Sequence, residues 1–439
     1  MAVKYIDVTA SSNLFAPAVR AFGDIAIIGR GGFGTATGAP DFKPKDFSSP
    51  SAAAAAYAAG STTLTAEAPS GEDKLTVAAS VPPSTAVRIG SGGTSEVRKV
   101  TNSEAATGTE FTLTLDSALT RTHDIGADVK EEGENDLVRA ISAAFRQSPP
   151  PTKVWGVQVD LGANGPKWDE AFAKVGKLDV QIVVLANTPL NSANAETVGK
   201  LANHVTATEG DGKERIGVAM LDGSLTADEA VALNAGNVRK ERMVLIAHRS
   251  ADDVAAATAG VIAGYRPHIS MLLKPISIAK SDAFSDSEID TYDRHLINWI
   301  TSPVLLPGQA LYLGEGYTAD SSRNKKYIDI VRTLDDVNFR IKAALIQAIG
   351  NLRISRVGLR SVDTLVQSVL APLVSQEVID RFAIVIPLLT LLDKEPTDLS
   401  AAEAQQIKDA RSARKVDMTI EVVYAGAIHR LAVNLVFTG

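Results

Sequence analysis

Residues 180–221, VQIVVLANTPLNSANAETVGKLANHVTATEGDGKERIGVAML, decide the fold. The run 180–185 is apolar but for Gln181 and does not alternate, 193–205 spaces its apolar residues as a helix does, and 215–221 is apolar after Arg215. The stretch therefore predicts strand, helix, strand. A strand with no polar face is covered on both sides, which is the signature of parallel strands lying under helices. The pattern repeats outward: strand 154–159 and helix 168–175 come before, and a helix after Thr226 and strand 243–247 come after. A further helix, 135–146, sets Leu137, Ile141 and Phe145 on one face and is stopped by Pro149-Pro150-Pro151. Residues 226–229, 285–288 and 400–403 each have the form of a capping box. The fold class read here is multidomain α/β (α+β), a mixed sheet core flanked by helices.

Composition narrows the function. A chain of 439 residues exceeds what one core usually holds, and 45% hydrophobic with 22% charged residues is ordinary for globular domains. A net charge of −7 offers no basic field for nucleic acid, and the absence of cysteine removes disulfides and thiolate metal sites. The start, MAVKYIDVTA, lacks the apolar core of a signal peptide, and no run approaches 18 consecutive apolar residues. Neither secretion by that route nor membrane insertion is expected.

Between about 61 and 130 the texture changes to Thr, Ser, Gly and Val with short alternating runs at 74–78, 86–89, 96–101, 110–115 and 127–130. This predicts a small all-β module inserted into the larger α/β body. At the two ends the chain carries detached alternating runs. Residues 3–9 bear Val3, Tyr5, Ile6 and Val8, and a polar link leads from them to a core strand at 24–28. At the other end, 416–437 sets Met418, Ile420 and Val422 on one side, breaks at Ala-Gly-Ala, and resumes with Leu431, Val433, Leu435 and Phe437. That is a hairpin pattern at a terminus, either the closing hairpin of a domain or an arm that adds strands to a neighbour. Strands are also expected at 310–313, 327–331 and 382–387, and helices at 286–299, 334–349 and 400–415.

Candidate chemistry is sparse. The loop Gly29-Arg30-Gly31-Gly32-Phe33-Gly34 follows a strand, which suits phosphate binding by backbone amides, but Pro40, Pro44 and Pro50 follow where a helix should open, and no Gly-Lys-Ser/Thr triplet occurs. The run 121–124 holds one histidine, His123, beside one carboxylate, and reads as a hydrogen-bonded turn. Five carboxylates between 281 and 293 lack the glycine turn of a calcium loop and read as a helix start. There is no Gly-x-Ser-x-Gly elbow and no His-Glu-x-x-His helix. No catalytic residue, cofactor or metal is assigned. In the helix 400–415, Lys408, Arg411 and Lys415 fall near one face with Arg414 beside them, a solvated face or a patch for an acidic partner.

Over its ends and most of its α/β body the chain resembles the contractile tail sheath proteins of myophages and related contractile injection systems. The resemblance rests on DIAIIGRGG after the N-terminal link, on ATAGVIAGYRPHISMLLKPI, and on GEGYTADSSRNKKYIDIVRTLDDVNFRIKAALIQAI with its Arg332-Thr333 corner. It also rests on the closing helix SAAEAQQIKDARSARKVD with strands after it. It implies a structural protein, not an enzyme, polymerising as stacked hexameric rings around an inner tail tube, with contraction driving the tube through an envelope. Implied partners are further copies of the chain, the tube protein, and baseplate and tail terminator proteins, in a virion tail or injection particle assembled in a host cytoplasm. Both runs of the N- and C-terminal arms become inter-subunit strands, and Lys408, Arg411, Arg414 and Lys415 candidates for tube or neighbour contact. The implied organisation is 1–22 arm and linker, 23–60 start of the core domain, 61–130 outer module, 131–304 middle domain, 305–415 inner domain and 416–439 terminal arm. The alternatives are a nucleotide-binding enzyme using Gly29 to Gly34, and a non-contractile virion or baseplate protein.

Overall fold

The computed structural model describes residues 22–33, 42–83, 85–106, 108–160, 166–208, 212–306, 310–320 and 325–429. In chain order its elements begin with β1 (Ile25–Gly29), β2 (Lys45–Phe47), α1 (Pro50–Ala56), β3 (Ser61–Thr63), β4 (Lys74–Val77), β5 (Ala86–Ile89), β6 (Glu96–Ala105), β7 (Phe111–Leu115), β8 (Asp128–Glu131), α2 (Asp136–Phe145), β9 (Val154–Gln158) and α3 (Trp168–Val175). They continue with β10 (Ile182–Leu185), α4 (Ala195–Ala207), β11 (Ile216–Met220), α5 (Ala227–Leu233), β12 (Met243–Ala247), α6 (Val254–Gly264), β13 (Pro275–Ile276), α7 (Asp286–Arg294), β14 (Asn298–Thr301) and β15 (Leu311–Leu313). Last come α8 (Ile328–Ala348), α9 (Arg356–Ser375), β16 (Ile379–Val385), α10 (Pro387–Asp393), α11 (Ala401–Ala413) and β17 (Thr419–Tyr424).

These residues form two compact units. The first, Phe22–Arg266 with Met271–Ile328, is built on a nine-stranded sheet ordered β13-β15-β14-β12-β11-β10-β1-β9-β2. From β14 to β9 the strands run parallel, and antiparallel β2 and β15 flank them. Burial explains the sequence pattern, because β10, β11 and β12 have no exposed residue. Ala26, Ile28, Val183 and Leu185 share a core with α3, α4, α5 and α7, while α2 and α6 pack on β1. Helix α6 is almost wholly buried, and a methyl group at Gly260 or Gly264 would collide with the carbonyls of Ala144 or Pro149. Small residues there let α6 lie directly against α2 and the chain that follows it.

Strands β3 to β8 form a six-stranded antiparallel sheet, ordered β3-β8-β5-β6-β7-β4. Its two edges meet: Thr65 N–H donates to the Thr76 carbonyl at 2.9 Å and Ala78 N–H to the Thr63 carbonyl at 3.1 Å. The sheet is thus closed into a small barrel filled by Leu64, Leu75, Val77, Val87, Ile89, Val100, Leu113 and Val129. Inside it the buried Glu96 carboxylate accepts from Thr120 N–H (2.9 Å), Arg121 N–H (3.2 Å) and Arg98 Nη2 (2.5 Å), and pairs with His123 Nε2 (2.9 Å). Burial raises its pKa, but the bonds from Thr120 and His123 outweigh that and leave it at about 2. His123 is therefore a buried group that clamps its turn to β6.

The second unit joins Pro267–Ser270 to 329–429. Helices α8 and α9 pack with the two-stranded sheet β16-β17. Three expectations need correction here. The run 327–331 is not a strand, since α8 begins at Ile328 and only Tyr327 makes an isolated bridge, to Tyr317; the buried Ile328, Val331 and Arg332 follow helical spacing. Arg332 and Thr333 accordingly lie buried inside α8 rather than at a corner before it. The helix expected over 286–299 stops at Arg294, because Leu296 adopts a left-handed φ of 58° and turns the chain into β14.

Candidate assembly surface

The C-terminal strand sits where its alternation requires. In β17 and the residue before it, Met418, Ile420 and Val422 turn inward onto a cluster made by Val337, Val366, Leu370 and Ile379, while Thr419 and Glu421 face out. The second run of the expected hairpin, 428–437, lies outside the described residues from 430 on. β17 pairs antiparallel with β16, Ile420 opposite Ile384 and Val422 opposite Phe382, within the same chain. Among the described residues this sheet has two strands, so one edge of β17 keeps its backbone groups unpaired by any strand. Leu431, Val433, Leu435 and Phe437, and likewise Val3, Tyr5, Ile6 and Val8, lie outside the described residues.

The end of β17 is anchored. Tyr424 Oη donates to Asp329 Oδ2 at 2.6 Å, at the start of α8, and burial followed by this bond raises the phenol pKa. His429 is half-buried, its Nε2 2.9 Å from Ser270 Oγ. Arg332 in α8 is buried, which pulls its pKa down to about 10 against the opposing field of Asp336, Asp335 and Asp329.

The four basic candidates do not share one helix face. Helix α11 opens with the Ser400/Glu403 capping box and ends at Ala413; Arg414 follows with a left-handed φ of 52°, so only Lys408 and Arg411 are helical neighbours. Arg411 Nε donates to the Ile354 carbonyl at 3.3 Å, and Lys415 pairs with Asp417 at 2.9 Å. The contact at Ile354 brings in residues that the sequence reading missed, since Arg353 precedes α9, and Arg356 and Arg360 lie in its first turns, beside the end of α11. A signal for them existed, an N-capping Ser355 followed by Arg356 and Arg360 one turn apart. What it could not show was the packing of α9 on α11 through Leu359 and Ile407. The result is an exposed basic surface drawn from two helices.

The glycine loop serves packing. A side chain on Gly29 would meet the Ala186 methyl and one on Gly31 the Gln158 amide, and Gln158 Nε2 donates to the Gly32 carbonyl at 2.8 Å. The Arg30 carbonyl accepts from Leu137 N–H at 2.9 Å, so the loop's end is spent on α2 and β9. Gly34 lies outside the described residues.

The sequence matches no family model and no curated protein. The structure matches a chain of the anti-feeding prophage helical sheath in its contracted state, over 100% of this chain and 99% of that one, with TM-score 0.57 at 12% identity. This is the fold of contractile sheath proteins. The sheath fold also matches a chain in the six-fold symmetrised anti-feeding prophage baseplate, with the same coverage, TM-score 0.55 and 11% identity. A chain of the contracted PVC sheath complex, an extracellular contractile injection system, matches over 69% of this chain and 80% of its own, with TM-score 0.51 and 14% identity. At such identities the sheath fold is held by burial pattern and topology rather than by particular side chains.

Proposed function

We propose that this chain polymerises as stacked hexameric rings into a contractile sheath around an inner tail tube, and that contraction drives the tube through a target envelope. The observation that carries the reading is the end-to-end match to a helical sheath subunit. In this reading the open edge of β17 and the terminal runs at 3–9 and 428–437 link neighbouring copies by strand addition, where main-chain bonds give linkage and alternation sets register. The chain acts without catalysis, as one copy among many, with baseplate and terminator proteins at the tail's ends, after assembly in a host cytoplasm. Residues 305–415 lie innermost, with Lys408, Arg411, Arg414 and Lys415 toward the tube or a neighbour, and the inserted barrel 61–130 lies outward. Contraction is then a passage between two packings of the same subunits. Electron microscopy of the full chain, alone and with its tube protein, tests this: hollow striated cylinders of two lengths are expected, and dispersed monomers in both samples refute it. A second reading, a non-contractile baseplate protein, draws on the baseplate match. It predicts rings that do not stack.

A further inference from the structure

We propose that Gln147, Ser250 and Asp252 gate one edge of the nine-stranded sheet, which when opened pairs with the same edge of a second copy. Among the described residues β13 ends the sheet, paired with β15 so that Ile276 lies opposite Leu311. The Lys274 carbonyl accepts from Leu313 N–H at 3.0 Å. In a strand alternate residues aim their N–H and C=O groups to the same side, so Lys274 and Ile276 face β15 while Ser277 and Ala279 face away from it. There they meet side chains in place of a strand. Ser277 N–H donates to Gln147 Oε1 at 2.8 Å, and the Ser277 carbonyl accepts from Gln147 Nε2 at 3.0 Å. That two-bond exchange is the one an opposing residue makes in an antiparallel ladder. Ala279 N–H donates to Asp252 Oδ2 at 2.7 Å, and the Ala279 carbonyl accepts from Ser250 Oγ at 3.0 Å. Three side chains thus stand where two residues of a further strand would lie.

The gate is itself held in place. Gln147, buried just past α2, also donates from Nε2 to the Ala143 carbonyl at 2.8 Å. Asp252 pairs with Arg146 at 3.0 Å, and its N–H donates to Ser250 Oγ at 3.3 Å. An unpaired sheet edge is a template for another chain, and prolines and charges are the usual means of blunting it. Pro275 covers one position here; at Ser277 and Ala279 the cover is hydrogen-bond mimicry, which a real strand can displace. An open groove of about 590 Å³ beside this edge, lined in part by Ser148, Pro275, Ile278 and Lys280, leaves room for an incoming chain. The edge is complementary to itself when paired antiparallel, with Ser277 of one copy opposite Ala279 of the other. The contact is therefore isologous and closes as a pair about a two-fold axis at Ile278. It is independent of the sheath reading.

The chain has no cysteine, so one introduced at 278 reports the contact. Residues on the axis form a non-hydrogen-bonded pair with Cα atoms about 4.5 Å apart, a separation that a disulfide spans. Full-length Ile278→Cys is compared under mild oxidation with Ile278→Cys/Gln147→Leu/Asp252→Ala. Ser117→Cys, exposed on the barrel, gives the background rate with the gate intact and opened. Opening the gate should raise the yield of disulfide dimer at 278 about tenfold, the factor that goes with one strong hydrogen bond, and leave the yield at 117 unchanged. Hydrogen exchange in peptides covering 275–281 should quicken by about the same factor. An equal yield at 278 with the gate intact and opened, or a rise at 278 matched at 117, refutes the proposal. Should the opened chain fail to fold by circular dichroism, Ile278→Cys/Ser250→Ala replaces it and must raise the yield in the same direction; no rise refutes the proposal. Whether wild-type chain with tube protein forms cylinders bears on the sheath reading alone.

Discussion

Replacing Tyr424 by phenylalanine removes one oxygen from the anchor of β17 and changes little else. The lost bond is short, 2.6 Å, and ends on the carboxylate of Asp329, a residue 3% exposed. Hydrogen bonds to charged groups contribute about 1.5–3 kcal/mol, and the half-exposed position of Tyr424 favours the lower half of that range, about 1.5–2 kcal/mol. The Asp329 carboxylate keeps its burial and loses a donor, so the cost falls on the folded state. Since β17 lies at one side of a two-stranded sheet, its opening is local, and each 1.4 kcal/mol speeds exchange from the open state about tenfold. Hydrogen exchange read by mass spectrometry on peptides covering 416–429 should therefore quicken about 10- to 30-fold in Tyr424→Phe. Peptides from β10 to β12 should not change. Asp329→Asn keeps an acceptor oxygen and should show a smaller effect. A change below about threefold in Tyr424→Phe would mean that the inward side chains Met418, Ile420 and Val422 hold the strand without the phenol, and the anchor argument would fail.

Asn298, fully buried, donates to the Leu245 and Tyr317 carbonyls and accepts from Tyr317 N–H at 2.6 Å; Asn298→Leu should cost about 3–5 kcal/mol in urea unfolding. Tryptophan fluorescence reads this, because Trp155, Trp168 and Trp299 all lie in the unit that holds Asn298. Glu96, whose pKa is held low at about 2, contributes stability that is complete above its ordinary value and is lost as pH falls through about 2. The stability gap between wild type and Glu96→Gln, on the order of 2–3 kcal/mol at neutral pH, should hold to about pH 5 and close below it; a gap independent of pH would disprove the assignment. Reversing Arg411 and Arg414 to glutamate should shorten tube-templated cylinders and lower their yield, measured by microscopy, with the melting temperature unchanged. Deleting 417–439 should abolish assembly, and sheaths formed by the truncated chain would show that linkage lies elsewhere.

Local chemistry made much of this fold legible. Helix α3 and strand β12 fall where their apolar spacing puts them, and Asn135 caps α2 through a 3.1 Å bond from Val138 N–H, as its place before Leu137 suggests. Short edge strands left no trace. β13 is two residues beginning with a proline, and β2 is three residues of which only Phe47 is buried, so both exist through the strand beside them. The pairing of β17 with β16 was hidden for a related reason. Strand β16 lies on the other side of α10 and α11, and no local signal links it to β17 across that distance. The basic surface split in the same way: Lys408 and Arg411 show in the periodicity of one helix, and Arg353, Arg356 and Arg360 join them only through packing.

The closed barrel also sets where force can travel. The chain enters it at Gly60 and leaves at Glu131, and these two residues are stapled together, Glu131 N–H to the Gly60 carbonyl at 2.9 Å and Gly60 N–H to the Glu131 carboxylate at 3.0 Å. Tension passing along the backbone from α1 to α2 crosses that staple and bypasses the ring of strands. With both edges consumed in closure, no neighbouring strand can pull on the ring either. Along the backbone path the barrel is a side branch, touched besides by Arg30 Nη1 at the Pro83 carbonyl (3.3 Å) and by Phe33 against its core.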